Sequence, residues 1–301
     1  MAHKLAFVLG GGGARGAMEV GAVRALLEAG YCPDLLVGTS IGAVNAAYLA
    51  LNGLSLEGVN KLEKAWHSAA TANLLPSNYI WLTMRSIFNR RVGTPSNRLR
   101  NFLILQGMLP ELTFGDIRGV KLLTVATDLN NYRLTVFGQN PNDSLLEGVL
   151  ASASIPPWAE PMQRNDQYLI DGGVVSNLPI EPAIAHGATE IIALDLSDPR
   201  AFPGDSGGYG PFLVKMVITL TNRQAELEKT IAAQKGIPVH HILMRPEIPV
   251  PLWDFQRTDE LISTGYDLAK QAMHSLQSEK AEILPWWRRW LPGSKSRRPR
   301  A

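Results

Sequence analysis

The sequence predicts an α/β protein, built as a three-layer α/β/α sandwich around a mostly parallel sheet. Its opening alternates apolar strand runs at 5–9 and 34–37 with helical patterns at 17–29 and 41–50. Such βαβα alternation is typical of a parallel sheet whose faces are covered by helices. A very apolar run at 190–194 indicates a further buried strand.

The remaining elements follow from the same patterns of periodicity and turn residues. Gly30 follows the first helical pattern, where a glycine commonly ends a helix. Ser55 is a plausible N-cap for the next helix, and Asn130-Asn131 supplies the turn of a hairpin. In chain order we expect a helix at 55–70, strands at 121–127 and 132–137, a helix at 143–151, a strand at 167–170, a helix at 211–234, a strand at 238–244 and a helix at 258–278.

One domain is predicted over residues 1–284, because no linker or internal repeat divides the chain before Pro285. Within it, residues 73–118 combine prolines, arginines and short helical patterns. This stretch is predicted either to cover the site as a lid or substrate platform, or to form ordinary peripheral helices. Residues 285–301 are predicted to be a separate tail, which is basic and rich in tryptophan.

Composition limits the class of protein. The 301 residues are 46% hydrophobic and have a formal net charge of +2, so no nucleic-acid partner is expected. Cys32 is the only cysteine, which excludes an internal disulfide and indicates a reducing compartment. The apolar run at 5–9 is too short for a signal peptide, and no run approaches the roughly 18 residues that cross a bilayer. We therefore expect a cytoplasmic protein.

Ser40 is the strongest candidate for a reactive group. An apolar strand run ends at Gly38 and a helical pattern begins at Ile41, so the serine lies on the sharp turn between them. The segment fits the G-x-S-x-G nucleophile elbow, in which Gly38 and Gly42 avoid steric clashes and the hydroxyl is exposed at the end of the sheet. The N-terminus of the following helix favours negative charge at the same place.

Asp171 is the leading candidate for the base that a serine nucleophile needs at neutral pH. It follows the strand run at 167–170, and Gly172 and Gly173 let the chain turn away while the carboxylate faces the carboxyl edge of the sheet. Sites in parallel sheets collect at that edge. Asp-Gly-Gly is also a common turn sequence, so a purely structural role for Asp171 stays open.

The glycine-rich loop at 10–16 allows three interpretations. A Walker A loop is excluded, because no Gly-Lys-Ser/Thr follows the glycines. A dinucleotide-binding loop would need an acidic residue at the end of the second strand, where Gly38-Thr39-Ser40 stands instead. The third interpretation, an oxyanion hole, fits best. In a parallel sheet this loop would lie beside the elbow, and its amides would converge where negative charge develops.

These three motifs together resemble the patatin-like phospholipase family, and the resemblance is closest to bacterial members and to the esterase domain of the neuropathy-target-esterase type. It extends over about residues 5–196 and includes the segment 151–157 and Asn177-Leu178-Pro179. The resemblance implies a patatin-like fold and an enzyme of lipid degradation. Such an enzyme hydrolyses acyl esters as a phospholipase A, lysophospholipase or carboxylesterase, through an acyl-enzyme intermediate.

The resemblance also assigns roles to residues. It implies a catalytic dyad in which Ser40 is the nucleophile and Asp171 the base, without a metal or organic cofactor. The other implied site residues are Gly11, Gly12 and Gly13 as oxyanion donors, Arg15 and Gly16 as support for their loop, Gly38 and Gly42 in the elbow, and Gly172 and Gly173 in the turn after the base.

Two other functions stay open. In a Ser-His-Asp triad the histidine follows the acid in the chain, and His240 and His241 are so placed. If they lie on a strand, they point to opposite faces, so at most one reaches a site. The same geometry, with no H-E-x-x-H or Cys pair, argues against a metal site. Alternatively, the chain is a regulatory or interaction module that keeps the fold without catalysis.

The tail contains a candidate membrane contact. Trp286, Trp287 and Trp290 favour the boundary between water and lipid, and Arg288 and Arg289 attract anionic headgroups. These residues predict peripheral contact with the inner face of a membrane. The alternative is a solubilising tail whose tryptophans fold back onto the body of the protein.

Overall fold

The computed structural model describes residues 3–72, 74, 95–156, 159–201 and 209–283. These residues contain one eight-stranded sheet. Its strands are β1 (Leu5–Leu9), β2 (Leu35–Thr39), β3 (Lys121–Asp128), β4 (Arg133–Phe137), β5 (Met162–Arg164), β6 (Gln167–Asp171), β7 (Glu190–Asp195) and β8 (Val239–Leu243).

The sheet is mostly parallel. Hydrogen-bonded neighbours run β5-β6-β3-β2-β1-β7-β8, and β4 also pairs with β3. β3, β2, β1, β7 and β8 are parallel to one another, whereas β4 and β6 are antiparallel to β3. β1 and β2 are buried along their whole length, as expected for strands covered on both faces.

The helices of the described residues are α1 (Ala17–Glu28), α2 (Ile41–Asn52), α3 (Leu56–Thr71), α4 (Pro95–Leu105), α5 (Leu145–Ser152), α6 (Ile180–Ala185), α7 (Tyr209–Gln234) and α8 (Thr258–Ile283). They cover both faces of the sheet, which confirms the predicted three-layer sandwich. One core lies between the sheet and α1, α2, α3, α5 and α8 and includes alternate strand residues such as Phe7 and Leu9. The other core lies beneath α6 and α7 and includes Val8 and Val37.

Local signals determine several of these boundaries. The Ser55 hydroxyl accepts a hydrogen bond from the Gly58 amide and caps α3, as predicted. Gly30 has φ +85° and follows the end of α1, in the left-handed region that glycine adopts readily. The predicted hairpin is present as β3 and β4. The short strand β5 and the short helix α6 were not predicted.

The predicted lid stretch is described only in part, and the predicted tail lies outside the described residues. Between residues 95 and 118, Leu103, Met108 and Phe114 are buried in the core around α1 and α5. Residues 73 and 75–94 of that stretch, and the tail at 285–301, lie outside the described residues. No described helix combines the length and the hydropathy needed to cross a membrane.

Candidate active site

Ser40 occupies the sharp turn between β2 and α2, with φ 56° and ψ −123°. A positive φ is rare for a residue other than glycine, and such strain concentrates at functional sites. The Ser40 amide donates to the Ser152 hydroxyl at 3.0 Å, and the Ser40 carbonyl accepts from the amides of Ala43 and Val44. The turn is therefore anchored on both sides, and the hydroxyl makes no capping bond to its own helix.

The elbow glycines are required by close backbone approach. A Cβ atom on Gly42 would overlap the carbonyl of Leu9, and one on Gly38 would overlap the start of α2 at Ala43. α2 therefore begins directly against the end of β1. This contact brings the loop after β1 to Ser40, since a Cβ on Gly11 would lie 3.2 Å from the Ser40 Cβ.

The strand pairing that brings Asp171 close to Ser40 was not predicted from the sequence. β3 pairs with β2 through residues 121–125 and with β6 through residues 126–128, while β4 pairs with 124–128. Because β4 overlaps both of the other ranges, it occupies one edge of β3, and β2 and β6 share the other edge end to end. β6 runs antiparallel toward the end of β2, and Asp171 pairs with Ala126, one position beyond the partner of Thr39.

The Asp171 backbone is held firmly. Its amide donates to the Ser154 carbonyl at 2.9 Å, and its carbonyl accepts from the Thr127 hydroxyl at 2.9 Å. The side chain is 4% exposed. Its Oδ1 accepts from the Gly173 amide at 2.8 Å, whereas its buried Oδ2 has no hydrogen-bond partner among the described residues.

Burial raises the pKa of the Asp171 carboxyl to about 6. The Ser40 hydroxyl and the Gly173 amide stabilise the carboxylate and limit this rise in pKa. The Ser40 hydroxyl thus faces the carboxyl group without a hydrogen bond of ordinary geometry to Oδ2. Catalytic hydrogen bonds are often long in a free enzyme and shorten when substrate binds.

The glycine-rich loop lies beside Ser40, as expected of an oxyanion hole, but its amides are not equivalent. The Gly11 amide donates to the Asn177 carbonyl at 3.0 Å and is therefore not a free donor, so the prediction for Gly11 is wrong. No hydrogen bond from the amides of Gly12 and Gly13 to another described residue is found. Gly13 has φ +56° and lies against Leu252, so a side chain would not fit there. The candidate donors are reduced to Gly12 and Gly13.

Arg15 and Gly16 make contacts suited to loop support. The Arg15 guanidinium is buried and donates to the carbonyls of Gly12 and Asp198 at 3.3 and 3.4 Å. Burial lowers the pKa of Arg15 to about 10, against the opposing charges of Asp198 and Asp195, so the side chain is charged at neutral pH. The Gly16 carbonyl accepts from the Asn45 side chain at 3.0 Å, which ties the loop to α2.

Sequence reasoning missed the residues that connect these parts. Ser152 and Ser154 bind the backbones of Ser40 and Asp171, and Asn177 binds the Gly11 backbone through its carbonyl and its side-chain amide. The segment 151–157 and Asn177-Leu178-Pro179 enter the prediction from sequence only through the family resemblance. A single sequence has no signal that would have assigned these contacts.

The structure does not bring His240 or His241 to Ser40. Both lie on β8, where His240 pairs with Glu190 at 2.7 Å and His241 pairs with Asp195 at 2.8 Å. β1 and β7 separate β8 from β2, a distance of about 14 Å at ordinary strand spacing. The triad alternative is therefore wrong for this arrangement. In the described parts of the chain, no three His, Cys, Asp or Glu side chains are grouped to hold a metal ion.

Comparison with known proteins identifies the family whose sequences this chain resembles. Residues 7–184 match the sequence model of the patatin-like phospholipase family. The chain is 31% identical over 293 residues to patatin-like phospholipase domain-containing protein 6 of Mus musculus, an alignment covering 89% of this chain and 20% of that protein. It is 24% identical over 306 residues to lysophospholipase NTE1 of Cryptococcus neoformans, covering 92% of this chain and 17% of that protein.

The alignments cover only about a fifth of the length of these two relatives. Among solved structures, VipD from Legionella pneumophila aligns with a TM-score of 0.48 and 15% identity, covering 91% of this chain and 67% of that one.

Proposed function

Because the chain belongs to the patatin-like phospholipase family, we propose that it is a serine hydrolase of lipid acyl esters. Ser40 is the nucleophile and Asp171 the base of a two-residue dyad. The observation that supports this proposal most strongly is the end-to-end meeting of β2 and β6. In this arrangement the strained Ser40 lies next to the buried Asp171 carboxyl group, whose Oδ2 has no hydrogen-bond partner among the described residues. A regulatory or interaction module does not require these two features to meet at one point.

The proposed reaction has two halves. The Ser40 Oγ attacks the ester carbonyl carbon while its proton passes to Asp171, and the carbonyl π electrons move onto oxygen. The amides of Gly12 and Gly13 and the N-terminus of α2 stabilise that oxyanion. When the intermediate collapses, the ester C–O bond breaks and the leaving alcohol takes the proton from Asp171. This step leaves the acyl group on Ser40.

Hydrolysis of the acyl-enzyme repeats these steps with water. Asp171 accepts a proton from the attacking water, and the new oxyanion binds the same amides. Collapse of this intermediate breaks the bond between the acyl carbon and Ser40, which recovers its proton from Asp171. A carboxylate with a pKa of about 6 is ionised at pH 7 and is a stronger base than an exposed aspartate. No step needs a metal or an organic cofactor.

The proposal is tested by hydrolysis of a short p-nitrophenyl ester by wild type, Ser40→Ala, Asp171→Asn and His241→Ala. We expect the first two variants to lose at least about a thousandfold in kcat/KM, and His241→Ala to stay within about twofold of wild type. Loss of activity in His241→Ala would favour a triad. An inactive wild type would favour the regulatory or interaction module. A screen of lipid classes by mass spectrometry would then identify the headgroup and acyl chain.

Contact with a membrane surface belongs to the same proposal. We propose that the tail residues Trp286, Trp287, Trp290, Arg288 and Arg289 bring a cytoplasmic enzyme to the inner membrane face. Each arginine near an anionic surface contributes about 1 kcal/mol, and salt screens that attraction. Binding to anionic vesicles should therefore weaken with salt and be lost when the chain ends at Leu284. Equal binding by the shortened chain would show that the tail has no such role.

A further inference from the structure

The turn formed by residues 172–178 contacts all three parts of the candidate site, which are the base, the nucleophile turn and the glycine-rich loop. The Gly173 amide binds the Asp171 carboxylate at 2.8 Å. The Ser176 carbonyl accepts from the hydroxyl of Thr39, the neighbour of Ser40, at 2.8 Å. Asn177 binds Gly11 on the glycine-rich loop through two hydrogen bonds. A shift of the 172–178 turn would therefore change the relative positions of base, nucleophile and oxyanion loop.

Glu228 of α7 binds this turn and a backbone amide just after it. Its side chain is 5% exposed. Oε1 accepts from the Ser176 hydroxyl at 2.5 Å, and Oε2 accepts from the Glu181 amide at 2.8 Å, just past the end of the turn. α7 is fixed to the sheet near this point, because Ala225 and Ile231 pack against the core beneath it.

A carboxyl group at this place is costly, which argues against a role in packing alone. Burial raises the pKa of Glu228 to about 7, and the nearby charge of Glu181 raises it too, while the hydrogen bonds from Ser176 and Glu181 lower it. Replacing a buried charged group by a well-packed apolar one is often neutral or stabilising. The two hydrogen bonds to the turn and to the residue after it are what this glutamate provides and an apolar residue would not.

We propose that Glu228 is a positioning residue for hydrolysis, which sets the separation of Asp171, Ser40 and the glycine-rich loop by anchoring the 172–178 turn. The inference rests on the proposed function, since it concerns the geometry of that reaction. The hydrogen bonds of the Glu228 carboxyl group go to Ser176 and Glu181 and not to Ser40 or Asp171. It lies outside the segment 7–184 that matches the family, so the family motifs do not assign it a role.

Two replacements of Glu228 should differ in their effect on the hydrogen bonds that anchor the turn. In Glu228→Gln the side-chain oxygen can accept from the Glu181 amide, and the NH₂ group can donate to the Ser176 hydroxyl, so both anchors persist. In Glu228→Ala both are lost. Misplacement of reacting groups by about 1 Å can cost about a hundredfold in rate.

The test is steady-state hydrolysis of a p-nitrophenyl ester, with kcat expressed per site titrated by a fluorophosphonate. We expect Glu228→Ala to lower kcat at least tenfold with KM within threefold of wild type, and Ser176→Ala to lower kcat at least threefold. Glu228→Gln should stay within twofold. The matched control Glu226→Gln changes an exposed glutamate two positions earlier on α7 and should leave kcat unchanged. Met273→Ala, which truncates a buried side chain of α8 in the other core, should lower Tm without lowering kcat.

The outcomes separate this inference from the proposed function. An active wild type whose Glu228→Ala variant keeps its kcat would overturn the positioning role and leave the function standing. An equal loss of kcat in Met273→Ala would also overturn it, because general destabilisation of the protein would then explain the effect. An inactive wild type would overturn the function and the inference together. If Glu228→Ala does not fold, Ser176→Ala decides, and a kcat equal to wild type would overturn the proposal.

Discussion

At the scale of single residues, burial of the Asp171 carboxyl group favours the proposed chemistry but lowers the stability of the fold. Burial makes it a better base, since its pKa rises to about 6, but an ionised carboxylate in that position opposes folding. Ser40 also lowers stability at a position that the proposed function requires, because its positive φ is strained. Proteins commonly keep such local costs where function requires them.

Asp171→Asn should therefore stabilise the protein at neutral pH. The folded pKa lies above the unfolded value, so the wild type loses stability as the pH rises from about 4 through about 6. Asparagine keeps the bond from the Gly173 amide and does not ionise. A shift of roughly two units corresponds to about 3 kcal/mol, so the variant should gain up to that amount in unfolding free energy at pH 7.5.

Urea unfolding of wild type and Asp171→Asn at pH 4 and pH 7.5 measures this difference. Near pH 4 both side chains are neutral in the folded state, so the two unfolding free energies should converge. A difference between the two proteins that does not change with pH would contradict the buried-carboxylate explanation.

At the scale of elements, the elbow depends on contact between the backbones of α2 and β1. Gly42→Ala would place a methyl group on the carbonyl of Leu9 and push α2 away, so we expect a loss of about 3 kcal/mol. The control is Gly30→Ala, which has a positive φ but no neighbouring atom within 4 Å. It should cost only about 1 kcal/mol. Chemical denaturation of both variants measures the difference, and equal losses would show that overlap is not the cause.

The elements formed by local sequence were predictable, and the relations between distant segments were not. Strand, turn and helix signals around Ser40 lie within about ten residues, and Asn130-Asn131 marks its own hairpin. The direction of β6 depends on its pairing with residues 126–128, which no local pattern encodes. In the same way, the Gly11 amide is engaged by Asn177, which lies far along the chain. Glu228 anchors Ser176 from a helix position 52 residues further along the chain.

At the scale of the whole molecule, the chain beyond the family segment completes the fold. β1 pairs with β7 on the side opposite β2, and α8 crosses α1 so closely that a Cβ on Gly265 would overlap the carbonyl of Met18. A chain ending at Leu196 lacks α8 and β8 and should fail to fold. A chain ending at Leu284 should keep the wild-type circular dichroism and a Tm within a few degrees. A cooperative melt of the shorter chain would contradict this view.

The proposed mechanism requires the Asp171 carboxylate to take the proton of Ser40. The most direct measurement is the pH dependence of covalent labelling by a fluorophosphonate, with the modified residue identified by peptide mass spectrometry. We predict that Ser40 is labelled, that the rate rises about tenfold per pH unit below about pH 6 and then levels, and that Asp171→Asn abolishes this rise. Labelling of another residue, or an unchanged pH profile in Asp171→Asn, would contradict the account.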